Sequence, residues 1–359
     1  MATVPEIVPQ NIPGNLPHAT SASSASSSIG RLLDGHGRTI TDLRVSITDR
    51  CNYKCVYCRT GEVGAQYAEL STEEYLRLIR NFVSLGIEKV RLTGGEPLLR
   101  RDLTEMVREL ATWRTPTGQP LDIAITTNGH LLEKLAAPLK AAGLSRVTVS
   151  MDAVEQATFE RVTRVPGSFP AVVRGIRAAQ NAGLGPVKIN CVLLRGFNDD
   201  QVEGFGRFAR EQNVIVRFIE FMPLEEGRLW SPEMVIPLTE IVARLNTVFP
   251  LQRLAANAPS ETARRFGFTD GIGEIGIIAP VTQAFCGACS RIRLTSDGKI
   301  RTCLFSQEDH DLYGQMRAGA SDLNLQEYIL RIVQKKEARH HIGEPGFLKP
   351  SRSMVHIGG

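Results

Sequence analysis

The run Leu43-Arg-Val-Ser-Ile-Thr48, followed closely by Cys51-Asn-Tyr-Lys-Cys55-Val-Tyr-Cys58, sets a strand-like segment directly before a loop with three cysteines. The first six residues are short, apolar-rich and β-branched, which reads as a strand. Outward from this point the same rhythm of strand, loop and helix repeats. Further strands are expected at 89–92, 122–126, 146–151, 187–193 and 214–221, each rich in Val, Ile or Leu. Between them lie helical stretches, and Ser71-Thr-Glu-Glu74 and Asp102-Leu-Thr-Glu105 each offer an N-cap residue with Glu at capping-box spacing. Six βα units imply an α/β fold with a parallel sheet. Right-handed crossovers allow either an incomplete barrel or a flat doubly wound sheet, and periodicity alone does not choose.

At 359 residues the chain has room for two domains, or for one large barrel with an appendage. Residues 1–30 hold Glu6 as their only charged side chain besides the terminus, four prolines and the run SASSASSS, and are expected to be a disordered tail. This tail lacks both an Arg-rich face and an apolar core, so it matches neither a transit peptide nor a signal peptide. The expected division is then a partial barrel at 31–222, a smaller module at 223–340 and a tail at 341–359. Lys and Arg total 42 against 38 Asp and Glu, a net +4 that gives no reason to expect nucleic acid or a membrane surface as partner. No apolar run reaches the roughly 18–20 residues of a membrane-spanning helix.

Seven cysteines occur as Cys51, Cys55, Cys58, an isolated Cys191, and Cys286, Cys289, Cys303. An odd count in two tight clusters argues for reduced thiolate ligands and a cytoplasmic location rather than a secreted disulfide framework. The first triad, C-x3-C-x2-C, can converge on one iron–sulfur unit with a coordination position left open. Spacing alone also admits a zinc knuckle completed by His36 or His130. The second triad, C-x2-C-x13-C, admits a zinc ribbon completed by His310. Cys191, inside an apolar strand, reads as a buried thiol.

The first triad resembles the signature of the radical S-adenosylmethionine (SAM) enzymes. That resemblance implies a [4Fe–4S] cluster on Cys51, Cys55 and Cys58 whose open iron chelates SAM, and whose reduction releases a 5′-deoxyadenosyl radical. Thr93-Gly-Gly-Glu-Pro97, after the second strand, would then let the backbone at Gly94 and Gly95 approach the methionyl group. Tyr57 is expected near the adenosyl group, Ser150 at the ribose hydroxyls and Met222 near adenine. Such scattered residues can share one mouth because barrel sites lie at the C-terminal ends of strands.

Phe285-Cys-Gly-Ala-Cys-Ser-Arg-Ile-Arg-Leu-Thr-Ser-Asp-Gly298, with Arg301-Thr-Cys-Leu-Phe305, is similar to the second-cluster signature of the molybdenum cofactor biosynthesis protein A family, the GTP 3′,8-cyclases. The resemblance covers about residues 40–359, holds both triads in order and ends in Gly358-Gly359. It implies an incomplete (βα)6 TIM-like barrel, two [4Fe–4S] clusters and SAM, with GTP as substrate. Arg44, Arg91, Thr126, Lys188, Arg291 and Arg293 are the implied GTP contacts. Arg291, Arg293, Gly358 and Gly359 are the implied catalytic residues, the two glycines entering the active site. The implied reaction abstracts hydrogen from ribose C3′, joins C3′ to guanine C8 and reduces the adduct. It also implies an electron donor, a downstream cyclic pyranopterin monophosphate synthase and a homodimer. Arg44, Arg91 and Lys188 support this independently, because charges in apolar strands are costly unless they meet an anion or cavity water. One departure is Arg59-Thr60, where the family carries Met-Pro. A peptide-modifying radical SAM enzyme and an iron–sulfur or zinc carrier are the rival readings; Arg291, Arg293 and the double glycine favour a nucleotide.

Overall fold

The computed structural model describes residues 31–58, 65–227 and 229–357. The expectations for the 1–30 tail, for Arg59-Thr60 and for Gly358-Gly359 lie outside the described residues. Six parallel strands follow the anticipated order: β1 (Asp42–Ser46), β2 (Lys89–Thr93), β3 (Asp122–Thr127), β4 (Arg146–Ser150), β5 (Lys188–Leu193) and β6 (Ile215–Glu220). β1, β2, β5 and β6 alternate in the same sense. Leu43 and Val45, Val90 and Leu92, Ile189 and Cys191, Val216 and Phe218 are buried on the face covered by helices, while Arg44, Arg91, Asn190 and Arg217 stand half-buried on the other face. Fully burying one such aliphatic side chain is worth roughly 1.5–3 kcal/mol, which fixes the register and so the row of polar residues opposite.

Helices α1 (Thr72–Ser84), α2 (Leu103–Thr112), α3 (Leu132–Ala141), α4 (Gln156–Thr163), α5 (Phe169–Asn181) and α6 (Val202–Glu211) join these strands. The capping box at Ser71 and Glu74 forms as anticipated, with reciprocal bonds of 3.2 and 2.8 Å. The one expected at Asp102 does not. Its carboxylate is taken by Arg100, at 2.7 and 2.9 Å, and by the Thr72 hydroxyl, so it cannot also cap α2.

Beyond β6 the chain adds α7 (Leu238–Val248) and the strands β7 (Leu251–Arg253), β8 (Arg264–Phe268), β9 (Glu274–Ile278), β10 (Arg291–Leu294), β11 (Lys299–Arg301) and β12 (His310–Asp311), then α8 (Leu312–Arg317) and α9 (Asp322–Gln334). Rather than building a sheet of its own, this part extends both edges of the first one. β9 pairs parallel with β6, and β10 pairs parallel with β1 on the opposite side. The result is one sheet ordered β12-β11-β10-β1-β2-β3-β4-β5-β6-β9-β8-β7, whose end strands do not pair among the described residues. Residues from β1, β2, β3, β4, β5, β6 and β10 nevertheless line a single cavity. The sheet therefore curls around that cavity as an open barrel. No helix among the described residues is long and apolar enough to cross a membrane.

Candidate active site

The two cysteine triads, 228 positions apart at Cys58 and Cys286, face the same cavity. None of the seven thiols is in a disulfide. Among the described residues no three His, Cys, Asp or Glu side chains gather closely enough to hold a single metal ion. Six thiols outside any disulfide, lining one cavity, suit the soft, multi-thiolate demand of iron–sulfur units, which need no convergence on one point.

The first cysteine loop is clamped by the Gly-Gly-Glu-Pro turn. Gly95 N donates to Thr48 O and Glu96 N donates to Arg50 O, both at 2.8 Å. A Cβ on Gly94 would lie 2.2 Å from Thr48 O, and one on Gly95 2.2 Å from Arg50 O. Both glycines are thus required for backbone to lie on backbone immediately before Cys51. Gly95 also lines the cavity. Glu96 is buried and accepts from Leu98 N, Thr127 Oγ1 and Asn128 N at 2.9, 2.7 and 2.7 Å, tying the turn to the end of β3. Burial nevertheless pushes its carboxyl up to about 7.

Tyr57, Ser150 and Met222, expected around SAM, all line the cavity. The Tyr57 hydroxyl donates to Asp152 Oδ2 at 2.8 Å, and Val192 N donates to Asp152 Oδ1 at 2.9 Å. Asp152 is buried, which pushes its carboxyl up to about 6. It belongs to the Ser150-Met-Asp152 strand end, but nothing in the sequence says that it anchors Tyr57.

A row of arginines also lines the cavity, beside the second triad. Strand register sets Arg293 of β10 beside Arg44 of β1, and Arg44 beside Arg91 of β2. Burial, and then neighbouring cations once the Asp42 carboxylate has offset part of it, pull Arg44 down to about 10. Its Nε is buried with no hydrogen-bond partner among the described residues. Burial likewise pulls Arg91 down to about 10, and its guanidinium donates to Thr126 Oγ1 at 3.1 Å and to Thr148 Oγ1 at 3.3 Å. Arg293, which burial also pulls downward, donates to Ile357 O at 3.1 Å. Arg291 lies over the Phe285 ring at 4.9 Å. Crowded, desolvated cations with an unmet donor suit a polyanion, since guanidinium groups pair with phosphate oxygens in multidentate fashion.

Lys188 is the expected contact that does not reach the lining. It opens β5 two residues before Asn190, which does reach it, so a motif match fixed the strand but not the depth. Burial, then Arg217, draws its ammonium down to about 8. Sequence reasoning missed Arg217, a lining residue on β6 whose charge in an apolar run was as visible as that of Arg44. It also missed Glu220, buried at the end of β6. That carboxylate accepts from Val281 N and Thr282 N, both at 2.9 Å, and so fixes the approach to Phe285 and Cys286. Cys191 is buried outside the lining, with its thiol 3.7 Å from Asp152 O.

The family model described as Radical SAM superfamily matches residues 45–209, and that described as Molybdenum Cofactor Synthesis C matches 214–342. A GTP 3′,8-cyclase of Acidothermus cellulolyticus is 43% identical over 318 residues, covering 86% of this chain and 87% of its own. The chain belongs to the GTP 3′,8-cyclase family. A member from Paenarthrobacter nicotinovorans is 41% identical, covering 94% and 99%, and the mitochondrial member from Arabidopsis thaliana is 38% identical, covering 91% and 83%. Family membership at this level sets aside the peptide-modifying and carrier readings. Among solved structures, Streptococcus suis SuiB bound to S-adenosylmethionine aligns with a TM-score of 0.56 at 13% identity, over 81% of this chain and 68% of that one. This supports the radical SAM fold.

Proposed function

We infer that this chain is a GTP 3′,8-cyclase, converting GTP to (8S)-3′,8-cyclo-7,8-dihydroguanosine 5′-triphosphate in the first step of molybdenum cofactor biosynthesis. Iron–sulfur clusters and SAM are its cofactors. The observation that carries the reading is the single cavity onto which both cysteine triads and the arginine row open. In the assignment proposed here, Cys51, Cys55 and Cys58 hold the first [4Fe–4S] cluster, and Cys286, Cys289 and Cys303 the second. When bound, the first cluster and SAM supply one-electron cleavage to a carbon radical.

The chain's own residues then bind and orient. Gly95 offers backbone to the methionyl group, Tyr57 is held by Asp152 at the adenosyl end, and Ser150 and Met222 border ribose and adenine. Arg44, Arg91 and Thr126 face the nucleotide. Arg291 and Arg293 stand beside the second triad, where the guanine would rest, and Lys188 acts on the phosphates only if they extend below Asn190. Gly358 and Gly359 continue from Ile357, whose carbonyl already meets Arg293, and are proposed to reach the reacting groups. Holding both reactants in one cavity replaces a bimolecular encounter by a positioned one.

An external electron donor, a cyclic pyranopterin monophosphate synthase acting on the product, a homodimeric state and a cytoplasmic setting complete the proposal. Anaerobic reconstitution followed by incubation with SAM, a reductant and GTP should yield 5′-deoxyadenosine and the cyclised nucleotide together. Deoxyadenosine without a GTP-derived product would refute the assignment.

A further inference from the structure

Cys286 and Cys303 come from separate turns, and a chain of polar contacts ties those turns together through residues that carry no assigned role. Arg38, held by Asp34 at 2.6 Å, sends its guanidinium to Cys286 O at 2.9 Å. The same guanidinium donates to Ala338 O at 2.8 Å and to Glu337 O at 2.6 Å. This fixes the segment directly after α9. The Glu337 carboxylate in turn accepts from Thr302 Oγ1 at 2.7 Å, and the Lys336 ammonium donates to Thr302 O, the carbonyl of the peptide that leads into Cys303.

Lys336 is only 3% exposed and lines the same cavity as Cys289 and Cys303. Its position two residues past α9 also sets a cation at a helix C-terminus, where it is favoured. The acceptor it has found is a neutral carbonyl, so its positive charge stays in the cavity wall. That charge acts on the thiol side chains around it. Cys289 and Cys303 both border the cavity that this buried ammonium helps to line.

We propose that Lys336 is a positioning residue for the second iron–sulfur cluster, holding the Thr302–Cys303 turn in place and raising the cluster's reduction potential by its buried charge. A reduced cluster carries one more negative charge than the oxidised one. A fixed cation at short range in a weakly screened cavity therefore favours reduction, and net charge near the sulfurs is one of the levers by which proteins set such potentials. Lys336 is unlike Arg291 and Arg293 in this respect, because its ammonium is committed to the turn that carries a ligand rather than presented to the nucleotide.

The inference rests on Cys286, Cys289 and Cys303 being cluster ligands, and iron analysis tests that separately. In the full chain reconstituted anaerobically, the second cluster's signal is the one lost when all three cysteines are replaced by Ala. If that triple replacement loses no iron, the ligand assignment fails. Given a second cluster, potentiometric titration followed by electron paramagnetic resonance should show a more negative midpoint in Lys336→Gln, which keeps a donor for Thr302 O but not the charge. The first cluster's midpoint should stay in place, and Lys336→Arg should stay near the parent value. An unchanged midpoint in Lys336→Gln, or an equal shift in Lys336→Arg, would overturn the proposal. Should Lys336→Gln lose the second cluster altogether, retention by Lys336→Arg would support the charge requirement and loss in both variants would refute it.

Discussion

Arg44 shows how a single side chain can be poor for the fold and good for the site. It shares its level of the sheet with Arg91 and Arg293, and its buried Nε has no partner among the described residues. A cation so placed costs stability until an anion arrives, which is a usual trade at functional positions. Arg44→Met is therefore expected to leave the thermal midpoint of the ligand-free protein unchanged or higher, while weakening GTP binding by at least about tenfold. Calorimetry of the free protein and equilibrium dialysis with GTP under anaerobic conditions would check both halves. At this scale the sequence was readable wherever a charge interrupts an apolar strand, and Arg217 fits the same rule as Arg44. Asp152, Glu220 and Lys336 were not readable, because what each does depends on which distant backbone it meets.

The Gly-Gly-Glu-Pro turn is an element whose job is contact with another turn. With Gly95 lying on Arg50, a methyl group there must push the two backbones apart just before Cys51. Gly95→Ala should lower stability by about 1–3 kcal/mol and reduce iron at the first cluster, with the second cluster retained. Denaturant unfolding and iron content per chain measure these effects. The six central strands were legible because a strand buried on one face and half-buried on the other must show branched apolar residues at short intervals. Where the later strands join was not. A three-residue strand such as β11 carries too little pattern, and nothing local tells β9 and β10 to choose opposite edges. Hence the 223–340 region read as a smaller appended module, although its strands lengthen the same sheet.

Across the whole molecule, the end of the described chain returns to the cavity. Val355 and Ile357 are buried, Ser46 Oγ donates to Val355 O at 3.2 Å, and Arg352 pairs with Asp297 at 2.7 and 2.9 Å. Removing Gly358 and Gly359 leaves all of these contacts in place. Iron content and SAM binding should then stay near normal while formation of the cyclised nucleotide falls steeply, as a product assay at saturating substrates would show; unchanged product formation would mean that the glycines are dispensable. The same long-range closure governs how the protein is made. β1 pairs with β10 through Asp42 and Arg291, so a strand among the first to leave the ribosome must wait for one synthesised far later. Until then β1 presents a bare edge, the kind that recruits stray strands, and folding carries the delay typical of distant pairings. A nascent chain that has reached only residue 222 already has its first cysteine loop but lacks Arg291 and Arg293. If the nucleotide binds there, as proposed, its site is assembled only after the first cysteine loop, once β10 has joined β1.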